Sequence, residues 1–239
     1  MRAFIAILTV LAASAVFAQQ QVSCAEMGTR WQQLVKEYKF AELERLADQA
    51  AAVCDLDRNL EVFYQSAMTY LWRGELEKAR PVVKKVRQKN LEDAEKSWAA
   101  PNVGIANTLP LLDALYRGEH DVVEEQMLGY ENMIPRSQEV VLAYLLRLND
   151  PRFPAFYQTR KPSKFDMTPI LCGVYCKRNS VVKDCPCAGQ TMPASQGGPY
   201  SIYLEYLDGK PAAELKKTVE SRYGEAPLLK KEILQALGL

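Results

Sequence analysis

Histidine is almost missing from this sequence: His120 is the only one among 239 residues. That excludes histidine-rich metal sites and leaves a single imidazole as a conventional general base. It sits in Gly118-Glu119-His120-Asp121, a polar stretch at a helix start that reads as surface. Net charge is missing too, with 30 Lys and Arg against 29 Asp and Glu. A neutral chain offers no long-range field for nucleic acid or an anionic bilayer, so neither is expected as a partner. Nucleophile motifs are lacking as well. No serine stands in G-x-S-x-G, and the run Ser195-Gln196-Gly197-Gly198-Pro199 lacks the lysine and spacing of a phosphate loop. Glu124 and Glu125 are neighbours on a helix and point apart, as on a solvated face. These gaps leave no catalytic residue, cofactor or metal to assign, and the chain is read as a non-enzyme.

What is present begins with Met1 to Ala18, MRAFIAILTVLAASAVFA. One early arginine, a short apolar core and a Val16-Phe17-Ala18 ending match a secretory leader cleaved after Ala18. The apolar core is short for a membrane span of about 20 residues, and no later stretch is long enough for one. Removing Arg2 with the leader takes the basic count from 30 to 29, equal to the acidic count. A lipid-anchored variant through Val22-Ser23-Cys24 is disfavoured, because Gln19, Gln20 and Gln21 separate that cysteine from the apolar core. The leader is bacterial in style, so the expected location is the periplasm, with secretion to the medium second. No stable membrane insertion is expected after cleavage.

Six cysteines in an oxidising compartment predict three bridges. Cys24 and Cys54 stand alone in the first part of the chain and are expected to pair. The other four crowd into LCGVYCKRNSVVKDCPCAG, Leu171 to Gly189. Only Pro186 separates Cys185 from Cys187, so each should pair upstream. A hairpin centred near Ser180 sets Cys176 opposite Cys185 and Cys172 opposite Cys187; the crossed pairing stays open. Four thiolates could also close a tetrahedral zinc site, but exported thiols are usually oxidised before they meet metal. Neither spacing is the C-x-x-C of thiol-exchange enzymes. The cluster is therefore read as a staple on a loop, with envelope thiol or cell-wall chemistry and zinc binding as alternatives.

From Cys24 to Lys89 apolar residues recur every three or four positions, as in Trp31, Leu34, Val35, Tyr38 and Leu43, Leu46, Ala47, Ala50, Val53. This periodicity predicts amphipathic helices over about 24–38, 41–54, 58–73 and 75–89, with Asp57 capping the third and Pro81 kinking or opening the fourth. Three more are expected between Asn102 and Asn149, with Pro110 interrupting the first and Pro135 opening the last. Prolines 151, 154, 162, 169, 186, 193 and 199 predict a largely irregular segment at 150–199. Helices resume over about 200–208, 211–223 and 226–237.

Ala41-Glu42-Leu43-Glu44-Arg45 aligns with Gly74-Glu75-Leu76-Glu77-Lys78 at an offset of 33, and the same turn grammar returns at Leu115 to Glu119 and Tyr206 to Lys210. The stretch YLWRGELEKA above all resembles the tetratricopeptide (TPR) repeat, over Phe63 to Gln88, with Tyr70, Gly74 and Ala79 near the family's helix-turn-helix positions. Trp31 to Asp55 resembles it less, since Ala41 replaces the turn glycine, and beyond Asn90 the offsets become irregular. The resemblance implies an all-α fold of stacked antiparallel helix pairs, a TPR-like solenoid. The expected organisation is a leader at 1–18, a helical domain at 19–149, the Pro/Cys-rich segment at 150–199 and closing helices at 200–239. Such stacks work by binding a protein or peptide in a groove. Trp31, Tyr64, Tyr70, Trp72 and Tyr116 are the candidate groove residues. A second candidate surface is the basic neighbourhood of Arg160, Lys161, Lys164, Lys177, Arg178 and Lys183.

Overall fold

The computed structural model describes residues 22–96, 103–163, 166–181, 183–194 and 198–239. The leader, Lys164 and the glycine-rich run at 195–197 lie outside them. Among the described residues there are twelve α-helices and no strands.

The first four helices fall where the amphipathic periodicity places them, although the third is buried at every position from Val62 to Leu71. α1 (Cys24–Lys36) opens on Ser23, whose N–H and hydroxyl both donate to the Glu26 carboxylate, satisfying a donor that a helix start leaves free. α2 (Phe40–Val53) buries Leu43, Leu46, Ala47 and Ala50, one face of the helix, and leaves Val53 exposed. α3 (Leu60–Arg73) starts after Asn59, two residues beyond the expected cap Asp57. It ends at Gly74, where φ is 80° and the Glu75 N–H reaches back to the Tyr70 carbonyl at 2.8 Å. A side chain at that φ would meet the left-handed penalty, so the turn uses the one residue free of it. α4 (Leu76–Lys96) then runs through Pro81, which neither starts nor stops it.

The helices pair antiparallel. Glu44, early in α2, binds Arg73 at the end of α3, and Asp48 accepts from Tyr70 at 2.8 Å. The Cys24–Cys54 disulfide closes the α1/α2 hairpin over a separation of 30 residues, worth about 3–4 kcal/mol in the chain-entropy account.

α5 (Val103–Arg117) continues through Pro110, and α6 (His120–Met127) is short. α7 (Pro135–Leu148) has Pro135 at its first position and ends on Asn149 at φ 53°. The segment expected to be irregular instead contains two helices, α8 (Phe153–Thr159) and α9 (Thr168–Arg178). Every residue of α9 from Thr168 to Cys176 is buried. Its apolar side chains leave no polar stripe, and such a helix shows no amphipathic periodicity. Proline is tolerated in the first turn, which is where Pro154 and Pro169 fall.

α10 (Pro199–Leu207), α11 (Ala212–Tyr223) and α12 (Pro227–Leu237) close the molecule. α12 packs on both α3 and α7. The Arg73 guanidinium donates to the Glu225 carbonyl at 2.6 Å, the Glu225 carboxylate accepts the Ala41 N–H at 2.9 Å, and the Tyr116 hydroxyl donates to Glu232 at 2.5 Å. Side chains from α1, α2, α7, α8, α9 and α12 share one apolar core, and Cys187 belongs to it too, so α8, α9 and the cysteine cluster are part of the main body rather than a separate loop. Among the described residues no helix is long and apolar enough to cross a membrane.

Candidate functional site

Two features stand out, a cleft and the cysteine cluster beside it. The cleft encloses about 880 Å³, within the ~300–1,000 Å³ range of ligand sites. One wall is the face of α1 carrying Trp31, Gln32, Val35 and Lys36, and the opposite wall is Arg136 and Glu139 of α7. Met167 and Pro169 at the start of α9 also line it, together with Thr191, Pro193 and Tyr200.

Trp31 is fixed before any ligand arrives. Its ring stacks on Trp72 with centroids 5.5 Å apart, and its indole N–H donates to Thr69 Oγ1 at 2.9 Å. That hydroxyl in turn donates to the Gln65 carbonyl at 2.9 Å. Aromatic walls held this way lose little entropy on binding. Across the cleft, the Tyr200 hydroxyl donates to the Glu139 carboxylate. Burial pushes the Glu139 carboxyl above the ordinary range, against the pull of that hydrogen bond and of Arg136. The Arg136 guanidinium lies 5.6 Å from the Tyr64 ring centroid. The site thus offers the Trp31 and Val35 side chains together with two cations, Lys36 and Arg136, and two carboxyls, Glu139 and Asp166.

Of the five aromatics expected to line a groove, the structure brings Trp31 into the cleft and sets Tyr64 and Trp72 behind it. Tyr70 is buried against Asp48, and the half-buried Tyr116 donates to Glu232. The expected basic surface is largely turned to structural use. The Lys177 ammonium donates to the Tyr206 and Leu207 carbonyls at 2.5 and 3.2 Å. Arg178 donates to the carbonyls of Leu146, Gln235 and Ala236. Arg160 donates to Thr168 Oγ1 and the Tyr157 carbonyl and lies 3.7 Å over the Tyr157 ring. Lys183 and Lys161 are exposed. His120 is also exposed, with its Nδ1 3.1 Å from the Tyr144 hydroxyl.

The cysteine cluster joins α9 to the chain that follows it. Cys172 and Cys176 stand one turn apart, and the turn after α9 falls at Ser180, whose φ is 58°. The return strand of chain sets Cys185 against Cys176, and these two are bonded. Cys172 and Cys187 are buried free thiols. All four Sγ atoms lie within 4.8 Å of one another, with Cys172 at 4.0 Å from Cys176 and 3.9 Å from Cys185, and Cys185 at 3.1 Å from Cys187. The Cys172 thiol is pushed well up by its hydrogen bond to Cys187 and by burial. The Cys187 backbone carbonyl accepts the Gln190 N–H at 3.0 Å, and Gln190 accepts the Tyr157 hydroxyl at 2.6 Å. Through these links the cluster leads directly into Thr191 and Pro193, which line the cleft.

The two disulfides suit an oxidising compartment. No protein-family model matches the chain, and no curated protein or solved structure is significantly similar to it.

Proposed function

We propose that this is an exported, periplasmic protein of TPR-like helical build that binds a peptide or a segment of another protein and does no chemistry. The observation that supports it is the preorganised cleft, with Trp31 locked by Trp72 and Thr69 on one side and Arg136 and Glu139 on the other. A single aromatic anchor in a desolvated pocket carries most of the energy in many such interfaces. The leader-like N-terminus and the two disulfides support export.

The test is panning of a displayed random-peptide library against the mature protein, followed by calorimetry on the enriched peptides. Trp31→Ala is expected to weaken them at least tenfold, about 1.4 kcal/mol. Because Trp31 also packs inside, Gln32→Trp serves as a second variant. Gln32 is exposed on the cleft wall, so an indole there obstructs entry without disturbing the core. Peptides that bind both variants as tightly as the parent, or a panning experiment with no enrichment, would overturn the reading.

A further inference from the structure

We propose that Cys172, Cys176, Cys185 and Cys187, once the Cys176–Cys185 bond is opened, hold one zinc ion as four thiolate ligands. The four cysteines line no part of the cleft, and the proposal does not rest on what the cleft binds.

Distances carry the argument. Zinc–thiolate bonds of about 2.3 Å in a tetrahedron put ligand sulfurs about 3.8 Å apart. Cys172 already stands at 4.0 Å from Cys176 and 3.9 Å from Cys185. The Cys185–Cys187 separation of 3.1 Å needs to widen by less than 1 Å. The bonded pair has to separate further, and Cys185 is the one half-buried member of the four. Cys172, Cys176 and Cys187 are each 3% exposed or less, so the site is closed, as structural zinc sites with four protein ligands are. The ligands come in two pairs from two elements, one helical turn of α9 and the Cys185-Pro186-Cys187 corner. Arg160 acts electrostatically on both Cys172 and Cys187, and its guanidinium is anchored on Thr168 and Tyr157. A fixed cation offsets part of the charge of about −2 that zinc with four thiolates carries.

The same distances argue against the cluster as an exchange relay. A thiolate attacks a disulfide along the S–S axis. Cys172 stands almost equally far from the two bonded sulfurs, which is a side-on position. For Cys187 an in-line approach to Cys185, across a disulfide of about 2.05 Å, would put it farther from Cys176 than the 4.8 Å that bounds the whole group. Four sulfurs gathered around a common centre fit a shared ligand better than a nucleophile and its target.

Loading balances as follows. A dithiol reductant gives two electrons and two protons to Cys176–Cys185 and becomes a disulfide itself. The four thiols then each release one proton to solvent as the four zinc–sulfur bonds form.

The test uses the full mature chain, reduced anaerobically with a dithiol and titrated with cobalt(II) alone. One equivalent is expected to give the visible bands of tetrahedral cobalt with the ultraviolet sulfur-to-metal charge-transfer band, both abolished by stoichiometric zinc. Cys172→Ser and Cys187→Ser should each lose the charge-transfer intensity of one thiolate, while the double variant Cys24→Ser/Cys54→Ser keeps the full spectrum. Native mass spectrometry of the reduced parent protein, which depends on no variant, should add one zinc and protect four thiols from alkylation. Absence of saturable one-to-one binding in the reduced parent, or a spectrum unaffected by Cys172→Ser, would overturn the proposal.

Discussion

Arg178 shows how one side chain can serve two elements. The last carbonyls of a helix lack partners within it, and the helix end carries partial negative charge. α7 and α12 finish side by side, and the Arg178 guanidinium lies between their ends, donating to Leu146 at 3.0 Å and to Gln235 at 2.9 Å. Charge-assisted hydrogen bonds of this kind contribute about 1.5–3 kcal/mol. Arg178→Ala should therefore lower unfolding free energy by about 2–3 kcal/mol, read by urea denaturation with disulfides intact. Arg178→Lys should recover only part of it, because one ammonium cannot span both ends as the planar fork does. Lys177→Ala, next in sequence but exposed, should cost less than about 1 kcal/mol. Equal losses at 177 and 178 would show that local charge, not this geometry, matters. Sequence alone could mark both as cations, but which of them faces inward depends on where α12 returns.

At the scale of elements, α9 is the central piece. Ile170, Leu171, Val174 and Tyr175 are buried against α7, α8, α10 and α12, and Gly173 allows α10 to approach so closely that an added Cβ would lie 3.1 Å from Leu207. Amides of 171–176 should exchange with deuterium only through global opening, whereas those of α6, whose Val122 is exposed, should exchange through local fluctuations. Comparable rates in both helices would contradict this packing. The contrast also explains what could be read in advance. α1 and α2 carry an apolar stripe, so Leu34, Leu43, Leu46 and Ala50 were legible as core from their spacing, whereas α3, buried at every position from Val62 to Leu71, is enclosed beyond any stripe. α9 is surrounded on all sides and gives no stripe; its one local signal is Thr168-Pro169 ahead of an apolar run, a helix start that seven scattered prolines concealed. Of the two nested bridges expected around the turn at Ser180, Cys176–Cys185 is formed, whereas Cys172 and Cys187, expected as the third disulfide, are free thiols. The cleft had no local signature, since its walls come from stretches near 31, 136, 167 and 193 that only the tertiary fold assembles.

For the whole molecule, the decisive feature is the return of α12 to α3 and α7. In an open solenoid, each repeat rests on its neighbours and the end can be removed without losing the rest. Here Leu229, Ile233 and Leu237 are buried in the shared core, each worth about 1.5–3 kcal/mol on burial. A chain ending at Ala226 should thus lose about 5–9 kcal/mol, comparable to the entire stability of a typical domain. The expected result is loss of the cooperative melting transition and of near-ultraviolet circular dichroism. A truncated chain that still melted sharply would behave as an independent stack.

Ala41 meets Glu225 across 184 positions, and Arg73 meets the same residue across 152. Ribosomes deliver a polypeptide from its beginning, so the partners of the first hairpins are the last to emerge. Despite being built of helices, the chain must wait for distant segments to meet, and refolding is expected to be slower than in a helical bundle held by local contacts alone.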